Sequence, residues 1–145
     1  MGRYLGVDYG GRRTGLAISD TAGTVATPLG VIKEKEPGRV ADEILRMCRE
    51  RGVNTLVLGL PLNMDGSEGP AAQGVRRLAA LLRERGGEGL GRIVLWDERL
   101  STRQVESALR GRGRQLRERV DALAAQVILQ SYLDARARGG GEIRE

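Results

Sequence analysis

Apolar and polar positions alternate in three short runs at the start of the chain, then settle into longer blocks of helical and strand spacing. Arg3 to Tyr9 reads as a strand that ends at Gly10-Gly11, a strong turn signal. Thr14 to Ser19 reads as a second strand, and Val25 to Ile32 as a third after the turn "DTAG". Three strands so closely spaced predict an antiparallel meander. The polar stretch "KEKEPG" breaks the pattern. From Arg39 to Arg51 the apolar residues fall at Val40, Ala41, Ile44, Leu45 and Cys48, which is helical spacing closed by Gly52. "NTLVLGL" follows as a buried strand, and "PLNMDGSEG" as a polar loop. A second helix is predicted from Pro70 to Arg85, with Pro70 in its first turn and a stripe of Ala71, Val75, Leu78, Ala79 and Leu82. "RIVLW" is the fifth strand.

Ser101 and Gln104 have the spacing of a capping box and predict a further helix, broken by Gly111 and Gly113 within the basic stretch "RGRGRQLRER". A last helix is expected over Val120 to Ala137, with Leu123, Ala124, Val127, Ile128 and Leu133 on its apolar side. Met47 and Tyr132 read as packing residues. Residues 139–145 are expected to be a disordered tail, and residues 1–138 a single domain. Strand–helix–strand units imply parallel pairing, and the meander adds antiparallel neighbours. The expected fold is therefore α/β: a mixed five-stranded sheet, three strands antiparallel and two parallel, flanked by helices. Ligands of such sheets favour the carboxyl ends of the strands at a topological switch point.

That rule gives the acidic residues their interest. Asp8 ends the first strand, while Asp97 and Glu98 end the fifth. If the first strand is central and parallel to the fifth, these acids face one crevice. Asp121 is placed at the opening of the last helix, where the helix dipole favours a carboxylate. Each has an ordinary alternative: a turn acid, a loop acid, a partner for Arg99 or Arg103, an end-of-helix charge. Gathered together they would repel unless a cation neutralised them. Two divalent ions about 4 Å apart could activate water and stabilise the leaving oxygen of a phosphodiester.

Composition narrows the chemistry. With no histidine, Ser-His-Asp and Cys-His catalysis and His-ligated zinc are excluded, and the single cysteine excludes a thiolate cluster within the chain. Hard carboxylate oxygens remain, which suit Mg2+ or Mn2+. Of 24 basic residues only Lys33 and Lys35 are lysines, and the net charge is +5, so phosphate recognition by arginine and a solvated surface are both consistent readings. With four aromatics and no phenylalanine, base stacking cannot dominate affinity for nucleic acid. No apolar run reaches the roughly 20 residues of a membrane span, and no signal-like segment opens the chain, so a cytoplasmic protein with no membrane partner is expected.

"VDYGGRRTG", "GLPLNMDGSEGP", "WDERLST" and "DALAAQVILQSYL" occur in that order and together resemble the YqgF family. The family consists of RNase H-like nucleases related to Holliday-junction resolvases and associated with maturation of the 5′ end of pre-16S rRNA. The resemblance runs from Tyr4 to about Leu133. It implies an RNase H-like fold and a metal-dependent nuclease whose metal-binding acids are Asp8, Glu98 and Asp121, with Asp97 the less favoured member of its pair. Arg13 matches the basic position of the first block, and Gly10 and Gly15 its glycines. It also implies an RNA substrate, pre-16S rRNA, and an association with the ribosome or its precursors; branched DNA is the alternative.

On this reading Arg12 and Arg13 contact flanking phosphates. Asn63, Asp65 and Ser67 could contact substrate or a metal's water shell from the polar loop, though a plain turn at Asp65-Gly66 explains that loop equally. Arg99, Ser101, Thr102 and Arg103 sit at an expected helix start, a good phosphate site, and Arg119 flanks the cleft. Two other functions remain open: an actin-like ATPase with Asp8 beside nucleotide, which needs two such cores, and a non-catalytic RNA binder of the same fold.

Overall fold

The computed structural model describes residues 2–100 and 114–139, with the side chains of Glu88, Leu100 and residues 114–117 left out of the description. Five strands form one sheet in the order β3-β2-β1-β4-β5. They are β1 (Arg3–Tyr9), β2 (Arg13–Ser19), β3 (Ala26–Lys33), β4 (Val53–Leu60) and β5 (Arg92–Asp97). The first three pair antiparallel, as closely spaced runs with tight turns require. β4 pairs parallel with β1 and with β5, each reached through a helix. The first strand is thus central, and the chain switches direction across it.

Alternation along each strand divides the apolar residues between two layers. Leu5 and Val7 of β1, Leu16 of β2, Leu56, Leu58 and Leu60 of β4, and Ile93 and Leu95 of β5 face one side. That side is covered by α1 (Pro37–Arg51) and α2 (Pro70–Gly86). Both helices start with proline in the first turn, where its missing N–H costs nothing. Arg85 of α2 ties them together through Asp42 Oδ1 and the Gly38 carbonyl, both at 3.0 Å. The buried stripe of α2 begins at Ala72 rather than Ala71, which is exposed. Both residues lie within one turn of Val75, so spacing from Val75 alone cannot choose between them.

The other side of the sheet is covered by one long helix, α3 (Arg114–Ala137). It buries Ala125, Ile128, Leu129, Tyr132 and Leu133 against Ala17, Val57, Val94 and Trp96. Leu123 and Val127, expected in its apolar stripe, are only half-buried. The helix begins six residues earlier than the sequence pattern predicts, because the residues after Gly113 are nearly all strong helix formers. Asp121 therefore lies two turns inside the helix, and the dipole argument for its position does not apply. The expected helix at Ser101, its capping box and the breaks at Gly111 and Gly113 lie outside the described residues, as does the tail from residue 140 onward.

Four anchors fix α3. The Tyr132 ring packs edge-on against Trp96 at 5.4 Å and at a tilt against Tyr4 at 6.0 Å. Trp96 Nε1 donates to Ser131 Oγ at 3.1 Å. At the β3 edge, Gln126 donates to the Ala26 carbonyl, and Gln130 accepts from the Ala26 N–H while donating to the Thr24 carbonyl. The fourth anchor is the absence of side chains beneath the helix. A Cβ on Gly6 would lie 2.7 Å from Leu129 Cβ, one on Gly59 would lie 2.7 Å from Ile128 Cδ1, and one on Gly15 would overlap the Asp121 carbonyl oxygen.

The Gly15 contact is with backbone, which cannot rotate out of the way. Gly15→Ala is expected to lower stability by about 2 kcal/mol, within the range for overpacking a core. Gly89→Ala, where an added Cβ meets nothing within 4 Å, should change it by less than about 0.5 kcal/mol. Paired urea denaturation curves measure both.

Candidate active site

Asp8 pairs with Gly15 across the β1–β2 ladder, and the parallel register Val7↔Leu58 continues one step to place Asp8 beside Gly59. Side chains in register leave the same face of a sheet, so Asp8 stands between two glycines on the α3 side. Neighbouring strands are about 4.8 Å apart, so whatever fills the space above either glycine is beside Asp8. Above Gly15 sits the backbone of Asp121. Above Gly59 sits the carboxyl group of Glu98, whose carbon and Oε2 would each be 3.5 Å from a Cβ there. Three acids far apart in the chain are thus brought to one face, at the carboxyl ends of the parallel strands.

The same alternation separates the Asp97-Glu98 pair. Val94 and Trp96 face α3, so Asp97 points to the opposite layer and Glu98, in the short 3-10 turn Glu98–Leu100, returns to the α3 side. Asp97 is only 8% exposed. It is engaged by Arg99, whose Nε and Nη2 reach its two oxygens at 3.0 and 2.7 Å and whose backbone N–H also donates to it. The remaining Nη1 donates to the Asn63 and Met64 carbonyls at 3.3 and 3.2 Å. Arg99, expected at a phosphate, here clamps the β4 loop to the end of β5.

Asn63 is occupied in a similar way. Its Nδ2 donates to Ser67 Oγ, its carbonyl accepts from the Gly66 N–H, and Asp65 accepts from the Ser67 backbone N–H and hydroxyl. The loop is a self-closed turn with Gly66 at φ 87°, a conformation glycine tolerates best.

Asp121 has one described partner. Arg13 Nε lies 3.0 Å from its Oδ2, an ion-pair distance without hydrogen-bond alignment, and that oxygen is buried. Burial raises the Asp121 carboxyl above its ordinary range; Arg13 pulls it down and Glu118 pushes it up. Glu118 is in turn paired with Lys33, which lowers its own value. Arg12 is exposed on the turn before β2. Arg119 is exposed too, at the edge of a groove of about 680 Å³ between residues 28–31 of β3 and the start of α3. Ser101, Thr102 and Arg103 lie outside the described residues.

The donor set of Asp8, Glu98 and Asp121 is made of hard oxygens, one of them buried and without a hydrogen bond, which fits the chemistry of a divalent ion. Among the described residues no three acidic side chains stand close enough to hold an ion as they are. Gly59, whose bare surface admits Glu98, was not singled out from the sequence. Its signal was a glycine interrupting the apolar strand "LVLGL", a place where another group approaches closely.

The five-stranded mixed sheet, with Asp8 near the end of its central strand and Glu98 just past its edge strand β5, has the RNase H-like architecture. Consistent with this, the fold superposes on RuvC of T. thermophilus, solved in complex with a Holliday junction substrate, with a TM-score of 0.62, 16% identity and coverage of 99% of this chain and 100% of that one. A second T. thermophilus RuvC structure gives a TM-score of 0.61, at 16% identity, over 97% of this chain and 99% of that chain.

The sequence is closer to other proteins. It is 47% identical over 137 residues to an Anaeromyxobacter sp. protein named "Putative pre-16S rRNA nuclease", covering 92% of this chain and 98% of that one. It is 43% identical over 145 residues to a Rhodospirillum centenum protein of the same name, covering 95% and 76%. Residues 2–135 match the RuvX family, described as Holliday junction resolvase, and the chain belongs to that family. It is a nuclease, a hydrolase of phosphodiester bonds. No described helix is long and apolar enough to cross a membrane.

The Asp97–Arg99 clamp gives a pH signature. Hydrogen bonds from Arg99 hold the Asp97 carboxyl below its ordinary value, and burial opposes them only in part. A depressed folded-state pKa stabilises above the unfolded value of about 3.9, and that contribution is lost as pH falls through the folded value. Wild type should therefore be more stable than Asp97→Asn at pH 7, with the gap narrowing below about pH 4. Thermal melts across pH 2.5 to 7 check this.

Proposed function

We propose that this chain is a metal-dependent nuclease that cuts precursor 16S rRNA, with Asp8, Glu98 and Asp121 holding one or two Mg2+ or Mn2+ ions. The observation that carries the reading is the row Gly15–Asp8–Gly59, in which each glycine admits a group from another of the three acids to the side of Asp8. When bound, such ions neutralise the phosphate charge and assist attack of water and departure of the leaving oxygen. The chain's own part is positioning, which is most of what phosphoryl chemistry demands of a protein. Asp8 is carried on the rigid central strand. Glu98 is set by the end of β5, itself held by the Trp96–Ser131 bond and the Arg99 clamp. Asp121 is set by α3. Arg12 and Arg13 lie at the turn following Asp8, and Arg119 lies two residues before Asp121 on α3; all three are suited to flanking phosphates.

The RNA substrate is supported by the names of the relatives, and a cytoplasmic setting on ribosomal precursors follows from it. The family description supports a second reading, cleavage of branched DNA at the same acids. Selectivity between the two would rest on helix shape and 2′-hydroxyl contacts. Side-by-side incubation of a pre-16S RNA fragment and a four-way DNA junction with Mn2+ separates them. The reading expects the RNA to be cut and Asp8→Asn to lose about a thousandfold or more in rate while its melting curve stays cooperative. Unchanged cleavage by Asp8→Asn would remove that residue from the site.

The aromatic side chains support phosphate-dominated binding, since Trp96 and Tyr132 are buried and Tyr4 and Tyr9 pack against the two core layers. Affinity for a structured RNA should then fall by about tenfold or more between 50 and 200 mM salt. Anisotropy titrations read this; a flat salt dependence would contradict it.

A further inference from the structure

We infer that Arg13 gates the metal site: its guanidinium pairs with Asp121 in the free protein, and a substrate phosphate that draws Arg13 away frees the carboxylate for a divalent cation. The inference rests on the metal-binding role of Asp121 given above and assigns Arg13 a function beyond contacting phosphate. Arg13 is the first residue of β2, two positions before Gly15, and the Asp121 backbone packs directly on Gly15. The backbones of the pair are therefore fixed relative to one another, and the turn before β2 is closed by the Gly10 N–H donating to the Arg13 carbonyl at 3.0 Å. The Arg13 side chain is the longer and the more exposed of the two. It is 39% exposed against 21% for Asp121, so the cation is the outer partner and the carboxylate the inner one.

The pairing is also loose. Nε approaches Oδ2 to 3.0 Å without hydrogen-bond alignment, and the buried oxygen has no other described partner. Arginine recognises carboxylate and phosphate with the same planar fork, so the two compete for it. Meanwhile a divalent ion at Asp121 competes with the guanidinium for the same oxygen. The two competitions are linked. Whatever factor RNA adds to cation affinity, the cation must add to RNA affinity. The link should weaken without a cation at position 13, leaving only the share due to the phosphate's own contact with the ion.

Mn2+ titration by calorimetry, with and without a saturating structured RNA carrying phosphorothioate linkages throughout, tests this on wild type, Arg13→Gln and Arg13→Lys. Circular dichroism melts establish that each variant is folded. Without RNA, Arg13→Gln should bind Mn2+ about fivefold more tightly than wild type, the scale of a partly exposed ion pair. RNA should tighten Mn2+ binding to wild type by about fivefold more than it tightens binding to Arg13→Gln. Arg13→Lys, which keeps a cation there, should follow wild type.

Equal or weaker Mn2+ binding by Arg13→Gln, or RNA coupling in it as large as in wild type, would overturn the gate and leave the metal site standing. Lysine behaving as glutamine would overturn the charge pairing on which the gate depends. Absence of Mn2+ binding in all three proteins, with and without RNA, would overturn both the gate and the metal-binding role itself.

Discussion

The close approach of α3 to the sheet is the constraint on which the rest of this molecule depends. A 24-residue helix laid across a sheet is normally held away from it by the side chains between them. Here the positions beneath it include Gly6, Gly15, Ala17 and Gly59 beside the larger Val57, Val94 and Trp96, and the helix backbone reaches the sheet at Gly15. That contact brings Asp121 beside Asp8. Larger residues at these positions would leave each acid in place on its own element and still separate them. The Tyr132–Trp96 stack and the glutamines on the β3 edge keep the helix in that position along its length.

Charge is distributed in a complementary way. Acids that carry structural work are neutralised in place: Asp97 by Arg99, Glu68 by Arg76, Asp42 by Arg85, and Glu43 and Glu50 by Arg46. Burial of Asp121 against the sheet leaves a carboxylate that is costly to keep charged without a cation. Arg13 supplies that charge here. The guanidinium is held there by distance, without hydrogen-bond alignment. This RNase H-like nuclease of the RuvX family thus sets a row of closely packed backbone positions beside a half-exposed arginine at its rim.

The Asp97-Glu98 pair shows how a single residue of strand register separates two adjacent acids. Asp97 lies in the layer of α1 and α2, where Arg99 turns it into a brace between β5 and the β4 loop. Glu98, one residue on, reaches the opposite face and the bare surface of Gly59. Arg99 and Asn63 thereby belong to the framework that aims Glu98.

Local periodicity and turn residues were enough to determine the strands, the first two helices and the mixed sheet, because short-range pattern decides which face of each element is apolar. β1 agrees residue for residue with its expectation, and the placement of Asp8 and Glu98 at strand ends was legible for the same reason. The family's four blocks could be recognised from their order alone. The sequence could not choose between Ala71 and Ala72, nor between Asp97 and Glu98, since each choice depends on what packs against the element. It placed Asp121 at a helix start, whereas helix-forming residues upstream carry the helix two turns further. Only the tertiary structure revealed that Gly15 and Gly59 flank Asp8, because that row is made by strands from different parts of the chain. Proximity across a sheet is set by register and by the space a missing side chain leaves, and neither is written in the spacing of residues along one strand.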